Sequence, residues 1–306
     1  MIHYDPRWSG PHGIGRFSDE VIARLPGAQP LAIRARRLSL LDPLATTLAV
    51  AGLRSGAYFT PGFNPPLRSP VPFVFCIHDL IHLRFAAEST PARRAYYRLV
   101  VAPASRRAFR VLTVSDYSRR EILEWSGLPG DRVEVVGNGV AAVFRPDGPR
   151  HQPGYPYFLH VGRRAAHKNV ERLVAAHAAS RCGREVRLLF TGDLGDEQLA
   201  AHYRGAVALA FPSLYEGFGI PIIEAMACGT PVLTSDATAI PGTAGEGNAL
   251  MVDPLRVEAI AAGLDRLAED ASLRENFRQR GLARAAEFSW EKVVEKVGRV
   301  LREAEN

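Results

Sequence analysis

The chain has 306 residues, of which 47% are hydrophobic and 23% are charged. This length allows two α/β domains with separate cores, and the composition is that of an ordinary globular protein. The three cysteines are widely spaced without a CxxC pair, which argues against a zinc site and against a disulfide framework. With no signal-peptide h-region and no apolar run of membrane-spanning length, we expect a protein of the reducing cytoplasm.

The positive charge is concentrated in the first half of the chain. Residues 1–150 contain 20 arginines and 12 acidic residues, whereas residues 151–306 contain 18 basic and 20 acidic residues. A basic half indicates an anionic partner. Because no nucleic-acid-binding motif is visible, we favour a peripheral contact with the inner face of an anionic cell membrane that carries a lipid-linked acceptor. Arginines that merely reflect biased codon usage, or that form a solvated face, are the alternative.

Short apolar strands alternate with amphipathic helices, which is typical of parallel α/β sheets. In the first half we predict strands at Ile2–Tyr4, Leu31–Ile33, Ala57–Phe59, Val71–Ile77, Arg110–Val114 and Val133–Val136. Helices are predicted at Phe17–Leu25, Pro91–Arg107 and Ser115–Trp125. A segment rich in proline and glycine between residues 141 and 156 is predicted to link two domains. A second strand-led unit starts at Tyr157, and an amphipathic helix from Trp290 closes the chain.

Two motifs follow predicted strands in the first half. A turn containing Gly13 and Gly15 follows the first strand and precedes a helix, but it is not a complete GxGxxG. No acidic residue follows the second strand at the dinucleotide-binding spacing, which argues against a dehydrogenase. His78 ends a buried strand, and the carboxyl ends of parallel strands face the ligand in open α/β sheets.

A loop with two cations follows the first strand of the second half. It contains Arg163 and Lys168, and Arg164 leaves a register ambiguity of one residue. Such cations can neutralise an anionic leaving group, although loop cations are often simply solvated. We expect Asn169 to cap the following helix.

The stretch from Ser213 to Pro231 is the most informative one. It holds Glu216 and Glu224, eight positions apart, around a glycine turn and the start of an apolar helix. Unpaired N–H groups at a helix start attract a phosphate, glycines allow its close approach, and carboxylates hold hydroxyl groups. This chemistry suits a sugar nucleotide. A plain strand–helix connection with a surface pair of glutamates is the alternative.

Together and in order, these segments resemble the retaining glycosyltransferases of family 4, and more closely their bacterial mannosyltransferase-like members. The resemblance implies the GT-B fold: two Rossmann-like α/β domains whose parallel sheets face across a cleft. It places an acceptor-side domain at residues 1–150 and a nucleotide-sugar-binding domain at residues 151–289. Residues 290–306 are then a C-terminal helix that returns to the first domain.

The resemblance also implies a role for each motif. His78 would contact the donor sugar, Arg163 and Lys168 the leaving diphosphate, Glu216 the sugar hydroxyls and Glu224 the ribose. The backbone of the glycine turns would lie against the donor at Gly13, Gly15, Gly217, Phe218, Gly219 and Ile220. Gly192-Asp193, after the next strand, would border the base.

The implied reaction is the transfer of a hexose, with mannose favoured, from a nucleotide-diphosphate sugar such as GDP-mannose. The acceptor would be a saccharide or lipid-linked saccharide in surface polysaccharide synthesis. The anomeric configuration would be retained, and no metal or other cofactor is expected. The sequence likewise contains no DxD pair at a strand end.

The chain departs from the family in one region. Between Ala179 and Asp196 only one strand, Val186–Thr191, is predicted, so about one βα unit is missing. This motivates one alternative, a non-catalytic glycosyltransferase-like binding protein. A further alternative is a GT-B-fold nucleotide-sugar epimerase, which would need acids near the anomeric carbon that the sequence does not identify.

Overall fold

The computed structural model describes residues 1–192 and 194–306. They form two compact units, Met1–Gly139 with Trp290–Asn306, and Val140–Ser289. Residues 140–150, predicted to end the first domain, are part of the second unit. The reason is local packing: Phe144 is buried in the second unit's core, and the Val140 N–H donates to the Phe288 carbonyl (3.4 Å).

The first unit contains a six-stranded sheet in which every pair is parallel, in the order β2-β1-β3-β4-β5-β6. The strands are β1 (Ile2–Tyr4), β2 (Gln29–Pro30), β3 (Ala57–Thr60), β4 (Phe73–Cys76), β5 (Arg110–Thr113) and β6 (Val133–Val135). The second strand lies two residues before its predicted start at Leu31. Pro30 is tolerated there because β2 is an edge strand, where a missing N–H breaks no internal ladder.

Two layers of helices cover this sheet. The helices are α1 (Gly13–Arg24), α2 (Asp42–Val50), α3 (Ile81–Arg84), α4 (Pro91–Tyr96), α5 (Ala102–Arg107) and α6 (Asp116–Ser126). One apolar core joins Val50 of α2 and Ile122 of α6 to β4, whereas another joins Phe17 of α1 to the opposite sheet face. Strands buried on both faces appear in the sequence as continuous apolar runs, which is why they could be predicted.

The helix predicted from Pro91 to Arg107 is not a single α-helix. A π-helical segment, Tyr97–Val101, separates α4 from α5. Pro103 has no N–H to donate to the carbonyl four residues earlier, at Leu99, and its ring crowds that turn. A wider turn before the proline relieves both problems.

The C-terminal helix belongs to the first unit. This helix, α13 (Trp290–Glu305), packs against α1, and its inner face is apolar. Trp290 is 1% exposed, and its ring lies 6.2 Å from that of Phe17 in an edge-on arrangement.

The second unit contains a five-stranded parallel sheet in the order β11-β10-β9-β7-β8. The strands are β7 (Tyr157–His160), β8 (Arg187–Phe190), β9 (Ala208–Phe211), β10 (Val232–Ser235) and β11 (Leu250–Val252). The helices are α7 (Val170–Ala179), α8 (Asp196–Gly205), α9 (Ile220–Ala227), α10 (Ile240–Ala244), α11 (Val257–Glu269) and α12 (Ala271–Ala285). Among the described residues between α7 and α8, β8 is the single strand.

We predict that Trp290→Ala lowers the free energy of unfolding of the first unit by about 3–5 kcal/mol. The substitution would leave a large cavity between α13 and α1. Urea unfolding followed by circular dichroism measures the loss. Glu295→Ala, at an exposed position of the same helix, is the matched control and should change stability by less than about 0.5 kcal/mol. Equal losses in both variants would contradict the anchoring role of Trp290.

Candidate functional site

Lys168 and Glu216 form an ion pair in the second unit. Lys168 lies in a short 3-10 turn before α7, and Glu216 lies between β9 and α9. Lys168 Nζ is 2.7 Å from Glu216 Oε1, and the two side chains are 14% and 13% exposed. The ammonium group also lies over the Phe211 ring, 4.6 Å from its centre. Two predicted site residues, 48 positions apart in sequence, are thus held together at the carboxyl end of the sheet.

Asn169 fixes the backbone next to Lys168, but it does not cap α7 as predicted. Its φ is +60°, and its side chain makes no capping hydrogen bond. Instead, Nδ2 donates to the carbonyls of Pro212 (3.0 Å) and Pro254 (2.7 Å). Asparagine is among the few residues that readily adopt this left-handed conformation. The capping prediction was wrong because the side-chain oxygen that would cap the helix, Oδ1, accepts a hydrogen bond from Arg172 Nη1 (3.0 Å) instead, while Nδ2 ties the loop to neighbouring strand ends.

Arg163 and Arg164 differ in their surroundings. Both are exposed, and the Arg164 guanidinium stacks over the Phe190 ring at 4.7 Å. Within the described part of the chain, the Arg163 side chain has no hydrogen bond or ion pair. Arg163 is therefore the cation that can turn toward a ligand without giving up a protein contact.

The glycine turn before α9 presents backbone rather than side chains. Gly219 has φ = +94° and occupies the N-cap position, next to Ile220 at the helix start. The Phe218 ring is buried edge-on against Phe288 (5.6 Å), and its carbonyl accepts a hydrogen bond from Thr243 Oγ1 (2.6 Å). A ligand-binding contribution of Phe218 would therefore use its N–H group. Gly217 is buried in the same turn.

Glu224 lies one turn inside α9 and is only 3% exposed. Its Oε2 accepts a hydrogen bond from the hydroxyl of Tyr203, which is fully buried in α8 (3.0 Å). Glu216 and Glu224 thus differ in environment: one pairs with a cation near the surface, and the other is hydrogen-bonded in the interior. The two carboxylates are suited to different tasks.

His160 is a buried group beside this site that the sequence reasoning missed. It is the last residue of β7, is fully buried, and its Nδ1 lies 2.9 Å from the Ala210 carbonyl. A carbonyl requires a donor, so Nδ1 carries the proton, and Nε2 has no hydrogen-bond partner among the residues that the structure describes. Burial lowers the pKa of His160 to about 4, with the nearby Lys168 cation acting in the same direction. The available signal was a histidine ending an apolar strand just before the cationic loop.

In the first unit, His78 follows β4. Its Nε2 lies 2.8 Å from the Pro61 carbonyl, and its ring meets that of Phe17 edge-on at 4.9 Å. The ring keeps a partly exposed surface, although the protein surrounds it densely. Burial lowers the pKa of His78 to about 4. The neutral ring donates through Nε2, which leaves Nδ1 as an acceptor for a hydroxyl group.

The other glycine turn begins α1. His12 is its N-cap, and His12 Nδ1 accepts a hydrogen bond from the Gly15 N–H (2.8 Å). A Cβ atom on Gly15 would lie 2.1 Å from the Gly10 carbonyl oxygen, whereas one on Gly13 would meet nothing within 4 Å. Gly15 is therefore needed for the turn itself, and Gly13 leaves open space at the helix start.

A buried polar network beside this turn was also missed. Arg7 pairs with Asp5 (2.7 Å) and Asp42 (2.8 Å), both of which are fully buried. Asn64 donates to Asp5 (2.8 Å) and accepts from the Trp8 indole N–H (2.5 Å). The network connects the end of β1 with the start of α2. It was not predictable because its members lie up to 59 residues apart in sequence.

Several features do not occur among the described residues. These ranges contain no group of three or more His, Cys, Asp or Glu side chains arranged to hold a metal ion. In the same ranges, no helix is long and apolar enough to cross a membrane. Asp193, predicted to border a base, lies outside the described residues.

Comparison with known proteins identifies the family. A profile described as Glycosyltransferase Family 4 matches residues 13–144, and one described as Glycosyl transferases group 1 matches residues 177–284. O-antigen chain mannosyltransferase B of Escherichia coli is 31% identical over 300 residues, an alignment that covers 86% of this chain and 78% of that protein. The chain belongs to glycosyltransferase family 4.

One further sequence relative and one solved structure are similar to this family 4 chain. The serotype-specific mannosyltransferase WbdA of Escherichia coli is 27% identical over 274 residues, which is 75% of this chain but only 33% of WbdA. The crystal structure of Anabaena HepE in complex with UDP-glucose superimposes with a TM-score of 0.77 at 17% identity and covers 99% of both chains. The second comparison supports the fold alone.

These findings confirm the predicted fold class and enzyme class. The chain is a glycosyltransferase of the GT-B type, with two α/β units built on parallel sheets. Membership of the family does not test the individual residues. The roles of His78, Arg163, Lys168, Glu216 and Glu224 remain predictions.

We predict that buried His160 makes stability depend on pH. Its folded-state pKa of about 4 lies below the ordinary 6.5, so the unfolded chain binds more protons between these values. The contribution of neutral His160 to the free energy of unfolding is therefore present above about pH 6.5 and declines as the pH falls toward 4. The loss from this group is about 2 kcal/mol between pH 7 and pH 5.

Denaturant unfolding of the wild type and of His160→Asn at both pH values measures this effect. Asparagine keeps an N–H near the Nδ1 position but does not titrate. The variant is expected to lose less stability on acidification, whatever its stability at pH 7. The same pH dependence in both proteins would contradict the neutral buried histidine.

Proposed function

We propose that this glycosyltransferase moves a mannosyl residue from a nucleotide-diphosphate sugar, with GDP-mannose favoured, to a saccharide or lipid-linked acceptor in surface polysaccharide synthesis. The names of the O-antigen mannosyltransferase and WbdA relatives support the sugar and the pathway class. The observation that carries the proposal is the ion pair of Lys168 and Glu216 beside the glycine turn of α9. It brings a cation for phosphate and a carboxylate for hydroxyls to one position.

Lys168 and Arg163 are proposed to act on the diphosphate. As the bond from the anomeric carbon to the phosphate oxygen breaks, its electron pair moves onto the leaving nucleoside diphosphate. Aligned cations stabilise this growing charge more than they stabilise the ground state. The Arg163 side chain has no partner within the described residues, and Lys168 can exchange one carboxylate contact for a phosphate contact at low cost.

Glu216 and Glu224 are proposed to divide the donor between them. Glu216, once Lys168 turns to the phosphate, accepts hydrogen bonds from the sugar hydroxyls. Glu224 is proposed to hold the ribose, and its hydrogen bond from Tyr203 fixes the carboxylate orientation. The backbone at Gly217, Gly219 and Ile220 completes this part of the site.

His78 is proposed to contact the transferred sugar. The physical support is its neutral ring: Nδ1 can accept a hydrogen bond from a sugar hydroxyl, and an uncharged imidazole does not oppose the positive charge that develops at the anomeric carbon. Gly13 and Gly15 are proposed to lie against the donor through their backbone. Retention of configuration is proposed by the front-face route, in which the acceptor oxygen forms the new bond and its proton passes to the leaving phosphate.

Incubation with a panel of nucleotide sugars and a mannose-containing oligosaccharide tests the reaction class. We expect GDP-mannose to be the best donor, and nuclear magnetic resonance of the product reports the anomeric configuration. A preference for another sugar would replace the mannosyl assignment, and an inverted product would remove the retaining mechanism.

We predict that Lys168→Ala and Arg163→Ala each lower turnover about 10²–10³-fold, since an aligned charge in a closed site contributes about 3–4 kcal/mol at the transition state. Steady-state kinetics measure this loss. Arg164→Ala is the matched control because its guanidinium stacks over Phe190, and it should retain most activity. Lys168→Ala also leaves the largely buried Glu216 without its cation, so circular dichroism of the variant checks that it remains folded. Turnover near that of the wild type in both test variants would remove the diphosphate assignment.

The two glutamates are expected to respond differently to substitution. Glu224→Gln should weaken the binding of nucleoside diphosphate and intact donor alike, because its proposed partner is the ribose. Glu216→Gln should weaken the intact donor more than the free nucleotide. Isothermal titration of both ligands against both variants measures the four affinities, and equal losses in all four would refute the division of roles.

Turnover should survive an excess of EDTA, since the proposed electrophilic assistance comes from Arg163, Lys168 and the start of α9. The assay is run with and without added Mg²⁺ or Mn²⁺ after chelation. Loss of turnover that a divalent ion restores would show that a metal takes part.

A peripheral contact with an anionic membrane is proposed for the acceptor side. Its support is the basic first half of the chain, in particular α4 and the π-helical segment. Arg93, Arg94 and Arg98 lie there with Leu99, which is 69% exposed. Each cation near an anionic surface contributes about 1 kcal/mol of attraction.

A further inference from the structure

Four exposed leucines form an apolar surface at the start of α2. Leu40 is 96% exposed, Leu41 67%, Leu44 53% and Leu48 75%. Leu41, Leu44 and Leu48 follow the spacing of one helix face, and Leu40 lies just before them. We call these four residues the leucine face. Single exposed leucines are common, but four exposed leucines within nine residues are a local concentration of apolar surface that requires an explanation.

The leucine face is held in place by the first unit's interior. Pro43, Thr46 and Val50 on the other side of α2 are buried. Asp42, the first residue of α2, pairs with Arg7 and accepts the Leu38 N–H (2.6 Å). The outward direction of the leucines is therefore fixed by the fold.

The chain segment that carries the leucine face has surface charges of one sign. Between Glu20 and Asp79 the chain contains six arginines and a single acidic residue, Asp42. Asp42 is fully buried and paired with Arg7, so it contributes no negative charge to the surface. Arg36 and Arg54, on either side of the leucines in sequence, are exposed. The segment thus presents apolar side chains flanked by cations.

We propose that the leucine face inserts into the surface of an anionic lipid bilayer, with the flanking arginines at the headgroups. Exposed apolar side chains on a short helix with cations in the flanking segments are one form of interfacial membrane contact. The surface charge favours anionic lipid over an uncharged apolar partner, and the same charge opposes pairing with a second copy of this chain. The inference rests on the proposed membrane contact, deepens it by adding an inserting element, and does not depend on the donor sugar.

The position of α2 is compatible with the membrane contact proposed above for α4 and the π-helical segment. Val50 of α2 and Val101 of the π-helical segment pack into one apolar core, so both elements cover the same face of the first sheet. Arg98 and Leu99 belong to that segment. The leucine face would supply apolar insertion, whereas the arginines of α4 and the π-helical segment would supply long-range attraction.

Cosedimentation with phosphatidylcholine vesicles, with and without phosphatidylglycerol, tests the inference. The triple variant Leu40→Gln, Leu44→Gln, Leu48→Gln keeps good helix formers at exposed positions and should fold normally. We expect its partition to anionic vesicles to fall about tenfold or more. The control, Leu255→Gln with Val174→Gln, removes two exposed apolar side chains of the second unit and should bind as the wild type does. Activity with a soluble acceptor should be unchanged in both proteins.

The triple variant Arg93→Ala, Arg94→Ala, Arg98→Ala separates the inference from the contact proposed earlier. Lost binding in this variant but not in the leucine variant would overturn the leucine face and leave the earlier contact standing. Lost binding in both triple variants, or in the leucine variant alone, would support insertion by the leucine face. No binding by the wild type, or equal binding to uncharged vesicles, would overturn the inference. The inference would also be overturned if light scattering showed that the wild type self-associates and that the leucine variant does not.

A tryptophan placed in the leucine face reports insertion directly. The fluorescence of Leu44→Trp should shift to the blue on addition of anionic vesicles, whereas Leu255→Trp should show no additional shift. The shift should survive raised salt better than the binding of the arginine helix, because screening weakens charge attraction but not apolar contact. No shift at Leu44 while the protein is vesicle-bound would overturn insertion.

Discussion

The chemistry proposed for the second unit depends on an ion pair that is neither fully buried nor fully exposed. Lys168 and Glu216 are held 2.7 Å apart by two loops at the carboxyl end of one sheet. In a fully buried pair, separating the partners would leave desolvated charges at a large cost. In a fully exposed pair, the two side chains would not be held in one geometry. Asn169 supplies the missing rigidity, since its two hydrogen bonds to proline carbonyls fix the backbone beside Lys168. The side chains can therefore change partners while the loop stays in place.

In the first unit, side chains are held in position by a buried network of ion pairs and hydrogen bonds. Arg7 holds two buried carboxylates, and Asn64 connects one of them to the indole of Trp8. Removing one partner from such a network leaves a buried charge, so its geometry is more strongly enforced than that of the Lys168 pair. The network also fixes the start of α2. By fixing α2, this buried polar network also fixes the outward direction of the leucine face.

The sequence predicted most strands and the order of the motifs, but few of the contacts between them. Buried parallel strands such as β4 are continuous apolar runs, and strand-end residues such as His78 follow from that placement. Asn169 was assigned to a helix cap because local propensity favours it, and tertiary hydrogen bonds prevailed. The helix predicted across Pro103 is interrupted because proline has no N–H to donate. Hydrophobic periodicity, on which the prediction rested, does not register that missing donor. The buried role of Asp42 depends on residues far along the chain, which no local pattern contains.

Buried polar atoms lie at the carboxyl ends of β7, β8 and β9. Within residues 1–192 and 194–306, His160 Nε2, Thr191 Oγ1 and Ser213 Oγ are buried without protein hydrogen-bond partners. A buried polar atom that lacks a partner costs about 1–3 kcal/mol, so an apolar replacement at these positions would be expected to stabilise the fold. All three lie at the carboxyl ends of adjacent strands of one sheet, and His160 is close enough to Lys168 for the ammonium charge to lower its pKa. This is the edge where open parallel sheets bind ligands, so unpartnered polar atoms there agree with the proposed donor site.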